Sequence, residues 1–221
     1  MSDPHYSTVL LDAGGVLLLP DPRLMREELA VFGVFPDDAE CHRAFYHGVS
    51  QLDRRRLRDW RMVDDVVARA VGVGPSRLEE AAERIGMIYQ SKPWVSAPRA
   101  DQGIRRLLDA GVRVGVVTNS DGTMGQQLVD GGVCSVEECH LPRVAAVVDS
   151  GCIQKRKPDG DIFLHALRTV GASASDTVYV GDSITFDVDG ARAAGIAALH
   201  FDPFGLCSDR RHEHVRSMEA L

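Results

Sequence analysis

Asp12 closes a short apolar run, Thr8-Val9-Leu10-Leu11, and is followed at once by Ala13-Gly14-Gly15. A carboxylate where a buried strand gives way to a glycine-rich turn stands at the carboxyl edge of a sheet, and the turn presents backbone N–H groups to an anion. Three more segments carry chemistry: Val116-Val117-Thr118-Asn119-Ser120, Lys157-Pro158-Asp159, and Val180-Gly181-Asp182-Ser183 with Asp187 close behind. As residue types they supply a nucleophile, a phosphate cradle and a metal site. One compositional bias adds weight to Lys157. Of the 25 basic residues only Lys92, Lys155 and Lys157 are lysines, so a lysine kept before Pro158 points to a need for a compact ammonium rather than a planar guanidinium fork.

The elements that must position these residues are legible in outline. Val112 to Thr118, Val144 to Val148, Thr177 to Val180 and Ile196 to Leu199 read as buried strands. Between them lie helical patterns, one running from Asp161 to Val170 and another from Asp187 to Ala194, the latter stopped by Gly195. Such alternation predicts an α/β fold, a Rossmann-like parallel sheet with helices on both faces. Residues 23–90 lack strand signals and read as helices: Arg23 to Phe32, Asp37 to His47, Leu57 to Val71 and Pro75 to Tyr89, with Trp60, Val63, Val67 and Ala70 sharing one face of the third. Pro20-Asp21-Pro22 opens this block, and Lys92-Pro93-Trp94 through Pro98 closes it. The expected organisation is an α/β domain of residues 1–19 and 93–221 with a helical domain of residues 20–92 inserted. A short helix is expected from Asp209 to Leu221.

The order Asp12, Thr118, Lys157, Gly181-Asp182, Asp187, with a helical insert after the first motif, resembles the haloacid dehalogenase superfamily. The resemblance implies a magnesium-dependent hydrolase whose helical block is a cap domain. Asp12 would attack phosphorus and form an aspartyl-phosphate. Thr118 would donate its hydroxyl to a phosphate oxygen, helped by the Asn119 N–H and by Ser120. Lys157 would neutralise charge shared by Asp12 and the phosphoryl oxygens. Asp12, the Gly14 carbonyl and Asp182 would hold Mg²⁺, with Asp187 acting through a metal-bound water or by holding Lys157. Asp159 has a separate explanation as a helix cap.

The chain departs from the family pattern at Gly14, where phosphatases of the superfamily carry a second aspartate that protonates the leaving group and later activates water. Loss of such acid–base help costs about 10²–10⁴ in rate. His42, Tyr46, His47, Asp53 and Asp21 are substitutes by residue type alone. A substrate whose leaving group needs no proton, such as an acyl phosphate, is the second route. A dehalogenase is the third, because those relatives also lack the second aspartate; they do not need magnesium, however. Residues 20–91 hold no lysine for the Schiff-base route of phosphonate-cleaving relatives, and phosphate-shuttling mutases depend on the missing aspartate. A slow relative that only binds a phosphorylated ligand is the non-enzymatic alternative.

Bulk properties set limits on these readings. With 221 residues, 44% apolar and 26% charged, the chain can bury a sizeable core. A formal net charge of −7 argues against nucleic acid. No stretch is long enough to span a bilayer, and Met1-Ser2-Asp3-Pro4-His5 lacks the regions of a signal peptide. Five cysteines without framework spacing fit a reducing cytoplasm. The expected partner is a small phosphorylated metabolite, with no nucleic acid and no membrane, and the chain is a monomer or a homodimer. Arg43, Arg54, Arg55 and Arg56 could meet an anionic substrate, though consecutive arginines on a helix cannot all face one site.

Overall fold

A computed structural model describes residues 6–91 and 94–221. The expectations resting on Met1 to His5 and on the Lys92-Pro93 junction lie outside them. The chain divides into two compact units. One comprises Met1–Leu18, Ser96–Pro203 and Asp209–Leu221, and the other Leu19–Val95 with Phe204–Ser208. The segment Phe204–Ser208 thus joins the helical unit, although it lies far along the chain from the rest of it.

The first unit is an α/β layer structure. Strand β1 (Thr8–Leu11) is the centre of its sheet. A short ribbon of β2 (Leu18–Pro20) and β3 (Trp94–Ser96), most of whose residues belong to the second unit, comes next along the chain, then α5 (Ala100–Asp109), β4 (Arg113–Thr118), α6 (Met124–Asp130), β5 (Val147–Asp149), α7 (Ser150–Ile153), α8 (Gly160–Val170), β6 (Thr177–Gly181), α9 (Asp189–Ala193), β7 (Ala197–Phe201) and β8 (Glu213–Val215). The six-stranded sheet has the order β5-β4-β1-β6-β7-β8 and is parallel throughout. From β1 the chain winds to β4 and β5 on one side, then returns to build β6, β7 and β8 on the other. Their carboxyl ends beside β1 are therefore a topological switch point, where open α/β sheets bind ligands. The core beneath one face packs Leu10, Val117, Val148, Phe163, Ala166 and Tyr179 together, with Phe163 edge-on to Tyr179 at 5.0 Å between ring centroids.

The second unit holds α1 (Pro22–Leu29), α2 (Asp38–Arg54), α3 (Arg61–Ala70) and α4 (Leu78–Ser91). Asp37 caps α2 through a reciprocal box with Glu40. Helix α2 runs through Gly48 and ends at Arg54 rather than at His47. The reason is packing: a Cβ at Gly48 would sit 2.7 Å from a Val63 methyl, so this glycine lets α3 approach closely. Val63, Val67 and Ala68 form the buried face of α3, while Trp60 and Ala70 are exposed. Trp60 precedes the first turn of the helix, which removes it from the i, i+4 row that Val63 and Val67 define.

Two more expectations are corrected. Asp209 to Leu221 is not a helix; its chain forms β8 and a 3₁₀ turn at Met218–Ala220. Glu213–Val215 pairs in parallel with β7 as an edge strand, a tertiary contact that local pattern does not announce. The helix expected from Asp187 to Ala194 begins three residues earlier and opens with a wide turn. A π turn, Ile184–Val188, precedes α9. Among the described residues no helix is long and apolar enough to cross a membrane.

Candidate active site

The sheet brings the expected residues to one edge. Leu11 ends β1 in register with Val116 of β4 and Val180 of β6, and the Asp12 N–H extends the ladder with a 2.8 Å bond to the Val180 carbonyl. Asp12 therefore leaves the middle of the sheet, with Thr118 ending the strand on one side and Asp182 directly following the strand on the other.

Lys157 is the hub. Its ammonium lies 2.8 Å from Asp12 Oδ2, 2.6 Å from Asp187 Oδ1 and 3.1 Å from the Tyr179 hydroxyl. Three protons thus meet three acceptors in a buried place, which is the geometry a compact ammonium offers and a guanidinium does not. Asn119 places this lysine. Its side-chain carbonyl accepts from the Lys157 N–H at 2.8 Å, and its amide donates to the Lys157 carbonyl at 2.9 Å. The Lys157–Pro158 peptide bond is cis. Lys155 pairs instead with Asp161 near the surface, and Asp159 stands at the start of α8 without capping it through its side chain.

Asp187 reaches the hub because of the π turn. The wide turn closes through bonds from the Asp187 and Val188 N–H groups to the Ser183 carbonyl and points the carboxylate back at Gly181. A Cβ on Gly181 would overlap the Asp187 carboxyl group. Asp187 Oδ1 also accepts from Tyr179 at 2.9 Å, and Oδ2 accepts from the Ser183 N–H at 3.0 Å. Of the two roles expected for Asp187, these contacts match the holding of Lys157. A second glycine does similar work in the first motif. Gly15, with φ near 76°, leaves room that the Asp182 carboxylate fills, so that any side chain there would collide with it.

One carboxylate oxygen from each of Asp12, Asp182 and Asp187 lies within 4.8 Å of the others, and all three residues are buried. Burial pushes the Asp12 carboxyl up to about 7, against the downward pull of Lys157 and with Asp187 adding to the rise. For Lys157 burial favours loss of the proton, but the two carboxylates outweigh it and raise its pKa. Three buried carboxylates facing one ammonium leave surplus negative charge in a desolvated pocket. Hard oxygen donors of this kind could hold a divalent cation.

Thr118 is buried at the end of β4. The Ser120 N–H is committed to the Ser150 hydroxyl at 3.1 Å, and that hydroxyl donates to the Ser120 carbonyl at 3.0 Å. Ser120 is thereby fixed to α7 rather than left open to an anion. Tyr179 carries no motif in the sequence, where it is one member of a buried strand. Its only signal was a hydroxyl within the run Thr177-Val178-Tyr179-Val180, a group that needs a partner once buried. Among the proposed substitutes for the missing acid, Asp21 is engaged in capping α1 and in an ion pair with Arg23. Tyr46 packs against Phe45 and Phe204. Arg43 stacks on the Phe204 ring, and Arg54 donates to the Leu206 carbonyl, so neither is uncommitted.

Comparison with known proteins places these features. A family model described as haloacid dehalogenase-like hydrolase matches residues 6–195. A phosphoglycolate phosphatase from Xylella fastidiosa is 27% identical over 208 residues, covering 90% of this chain and 81% of that protein. Among solved structures, a HAD phosphatase from Thermococcus onnurineus superposes with a TM-score of 0.58 at 22% identity, covering 96% of this chain and 94% of that one. The L-2-haloacid dehalogenase from Xanthobacter autotrophicus, with chloropropionic acid covalently bound, gives the same TM-score of 0.58 at 15% identity, covering 97% and 96%. At such identities the likeness is one of fold, and the fold favours neither chemistry over the other.

Proposed function

The chain belongs to the haloacid dehalogenase-like hydrolases, and from that premise we propose that it is a Mg²⁺-dependent phosphatase of a small phosphorylated metabolite. The observation that carries this reading is the cluster of Asp12, Asp182 and Asp187 around Lys157. A dehalogenase working without a metal has no use for that surplus of buried carboxylates, whereas a phosphatase binding a divalent cation does. The phosphatase name of the Xylella relative supports the same choice.

In this reading Asp12 attacks phosphorus in line, the bond from phosphorus to the ester oxygen breaks, and an aspartyl-phosphate forms. Lys157 and the Thr118 hydroxyl hold the phosphoryl oxygens. Water then attacks phosphorus and returns Asp12 as a carboxylate. When bound, the divalent ion neutralises charge on the phosphoryl oxygens and on Asp12. Tyr179, Asp187 and Asn119 keep the ammonium aimed. Gly14 contributes no side chain to protonate the departing oxygen, so the leaving group takes its proton from water or from outside the first motif. The helical unit is proposed as the cap domain, the part of the chain that sets substrate choice.

Gly14 also favours one alternative, a slow enzyme that chiefly binds a phosphorylated ligand. Phosphate release from p-nitrophenyl phosphate, phosphoglycolate and sugar phosphates, with and without Mg²⁺, separates the two readings. Turnover of all three substrate types, dependent on Mg²⁺ and lost in Asp12→Asn, supports a complete phosphatase. Turnover of the activated ester alone shows that Gly14 narrows the chemistry to leaving groups needing no proton. Binding of phosphoglycolate without release of phosphate from any substrate overturns the enzyme reading.

A further inference from the structure

Three of the eight histidines of the chain meet at the edge of the sheet, away from any role in the hydrolysis above. β7 and β8 run parallel with His200 opposite His214, so both side chains leave the same face. His212 lies two residues before His214 and joins them on it. The ring centroids are 5.1 Å apart for His200 and His212, 5.3 Å for His200 and His214, and 4.6 Å for His212 and His214. His200 and His212 are buried, and His214 is exposed.

The hydrogen bonds orient the rings. His200 Nε2 is 3.1 Å from the Asp182 carbonyl. A carbonyl only accepts, so the proton is on Nε2 and the lone pair is on Nδ1. That Nδ1 faces His212 Nε2 at 3.2 Å. A single proton can bridge this gap. So can a metal ion, because two nitrogens bound at 2.0–2.1 Å in tetrahedral geometry stand about 3.3 Å apart. One nitrogen from each of the three rings lies within 4.8 Å of the others, so modest rotation of the exposed His214 completes a triad. Outer-shell support is already present, since metal-binding imidazoles characteristically donate their second N–H to a carbonyl or carboxylate, as His200 does. Burial, reinforced by the other two rings, brings the His212 pKa down to about 4.

We infer that His200, His212 and His214 form a second metal site, selective for an imidazole-preferring divalent transition ion such as Zn²⁺ rather than for Mg²⁺. Three neutral nitrogens suit a borderline ion and offer Mg²⁺ none of the oxygen ligands it prefers. On binding, His212 moves its proton to Nδ1, and Nε2 becomes the ligand. The ion cross-links the three-residue edge strand β8 to β7 and fixes the ring that accepts its orientation from the Asp182 backbone, immediately behind the carboxylate cluster.

The test is calorimetric titration of EDTA-stripped protein with Zn²⁺ in excess Mg²⁺, together with the visible spectrum of the Co²⁺-loaded protein. The parent is expected to take up one equivalent of Zn²⁺ with cobalt bands of a nitrogen-bound ion. Loss of an outer-shell partner alone costs 10–100-fold in affinity, so His214→Ala and His212→Ala are expected to weaken Zn²⁺ binding at least about tenfold. His212 is buried, and its variant could be unstable for other reasons. His214→Ala, changed at an exposed ring, keeps the test decisive, and its unfolding in EDTA should match that of the parent. Equal Zn²⁺ affinity in the parent and His214→Ala, or no equivalent bound in Mg²⁺, means that the rings are only a hydrogen-bonded stack and overturns the site.

Discussion

Lys157 donates to three acceptors from within the protein, which makes its position intolerant of the usual conservative exchange. Lys157→Arg would set a planar fork against three convergent oxygens, and we expect phosphatase turnover to fall by about 10²-fold or more. Circular dichroism at rising temperature should show a lowered Tm as well. An unchanged rate would mean that the ammonium is not at the reacting centre. Asp12 permits a sharper expectation through pH. Its carboxyl titrates near 7 in the folded protein against an ordinary 3.8, so between those values the native state holds a proton that the unfolded chain has released. Stability from this group is therefore lost as pH rises from about 4 to 7. Metal-free Asp12→Asn lacks the penalty and should have the higher Tm at pH 8, by a few degrees if about 1 kcal/mol is recovered. Mg²⁺ should raise the parent's Tm more at pH 8 than at pH 5, because the proton competes with the ion. Scanning calorimetry in EDTA and in Mg²⁺ checks both signs. Asp12, Thr118 and Asp182 were legible as candidates because each stands at the end of a strand, and Lys157 because a scarce lysine precedes a proline. Tyr179 and Asn119 as lysine-positioning residues were not, because both contacts join residues distant in sequence.

At the scale of elements, β1, β4, β6 and β7 stand nearly where buried β-branched runs predict them, whereas β5 is shifted to Val147–Asp149 and the three-residue strands β2, β3 and β8 are too short to show such a run. Boundaries that depend on packing were not legible. Helix α2 passes through Gly48 because α3 needs its bare backbone, and the π turn under Gly181 depends on where the Asp187 carboxylate must go. Gly48→Ala separates local preference from packing. By propensity alone the substitution in a helix interior is worth about 1 kcal/mol of stabilisation. Against it stands a methyl group placed 2.7 Å from Val63, and overpacking of this kind costs about 1–3 kcal/mol. We expect net destabilisation in urea unfolding, relieved in the Gly48→Ala, Val63→Ala double variant by a favourable coupling of at least about 0.5 kcal/mol. Additive effects would show that the two helices do not depend on that contact.

At the scale of the whole molecule, the alternation of strands and helices predicted the parallel sheet, and the strand-free block predicted a separate helical unit. What composition could not convey was that Phe204–Ser208 returns to that unit, or that the last residues add an edge strand. Both are decided by tertiary partners rather than by local pattern. The central place of β1 has one more consequence, and it concerns time. Thr8 pairs with Arg113 and with Thr177, so the first strand to be synthesised has no neighbour in its sheet until the helices and β4 have followed it, and none on its other side until β6. Contacts so remote along the chain are slow to form. While the chain emerges from the ribosome, helices α1 to α4, near neighbours in sequence, can assemble first. The strand that precedes Asp12 waits as an unpaired apolar segment until residues 113–118 arrive, and its second edge stays open until residues 177–181 do. Asp12 is thus among the first residues made, while both of its flanking strands are complete only once Gly181 has been added.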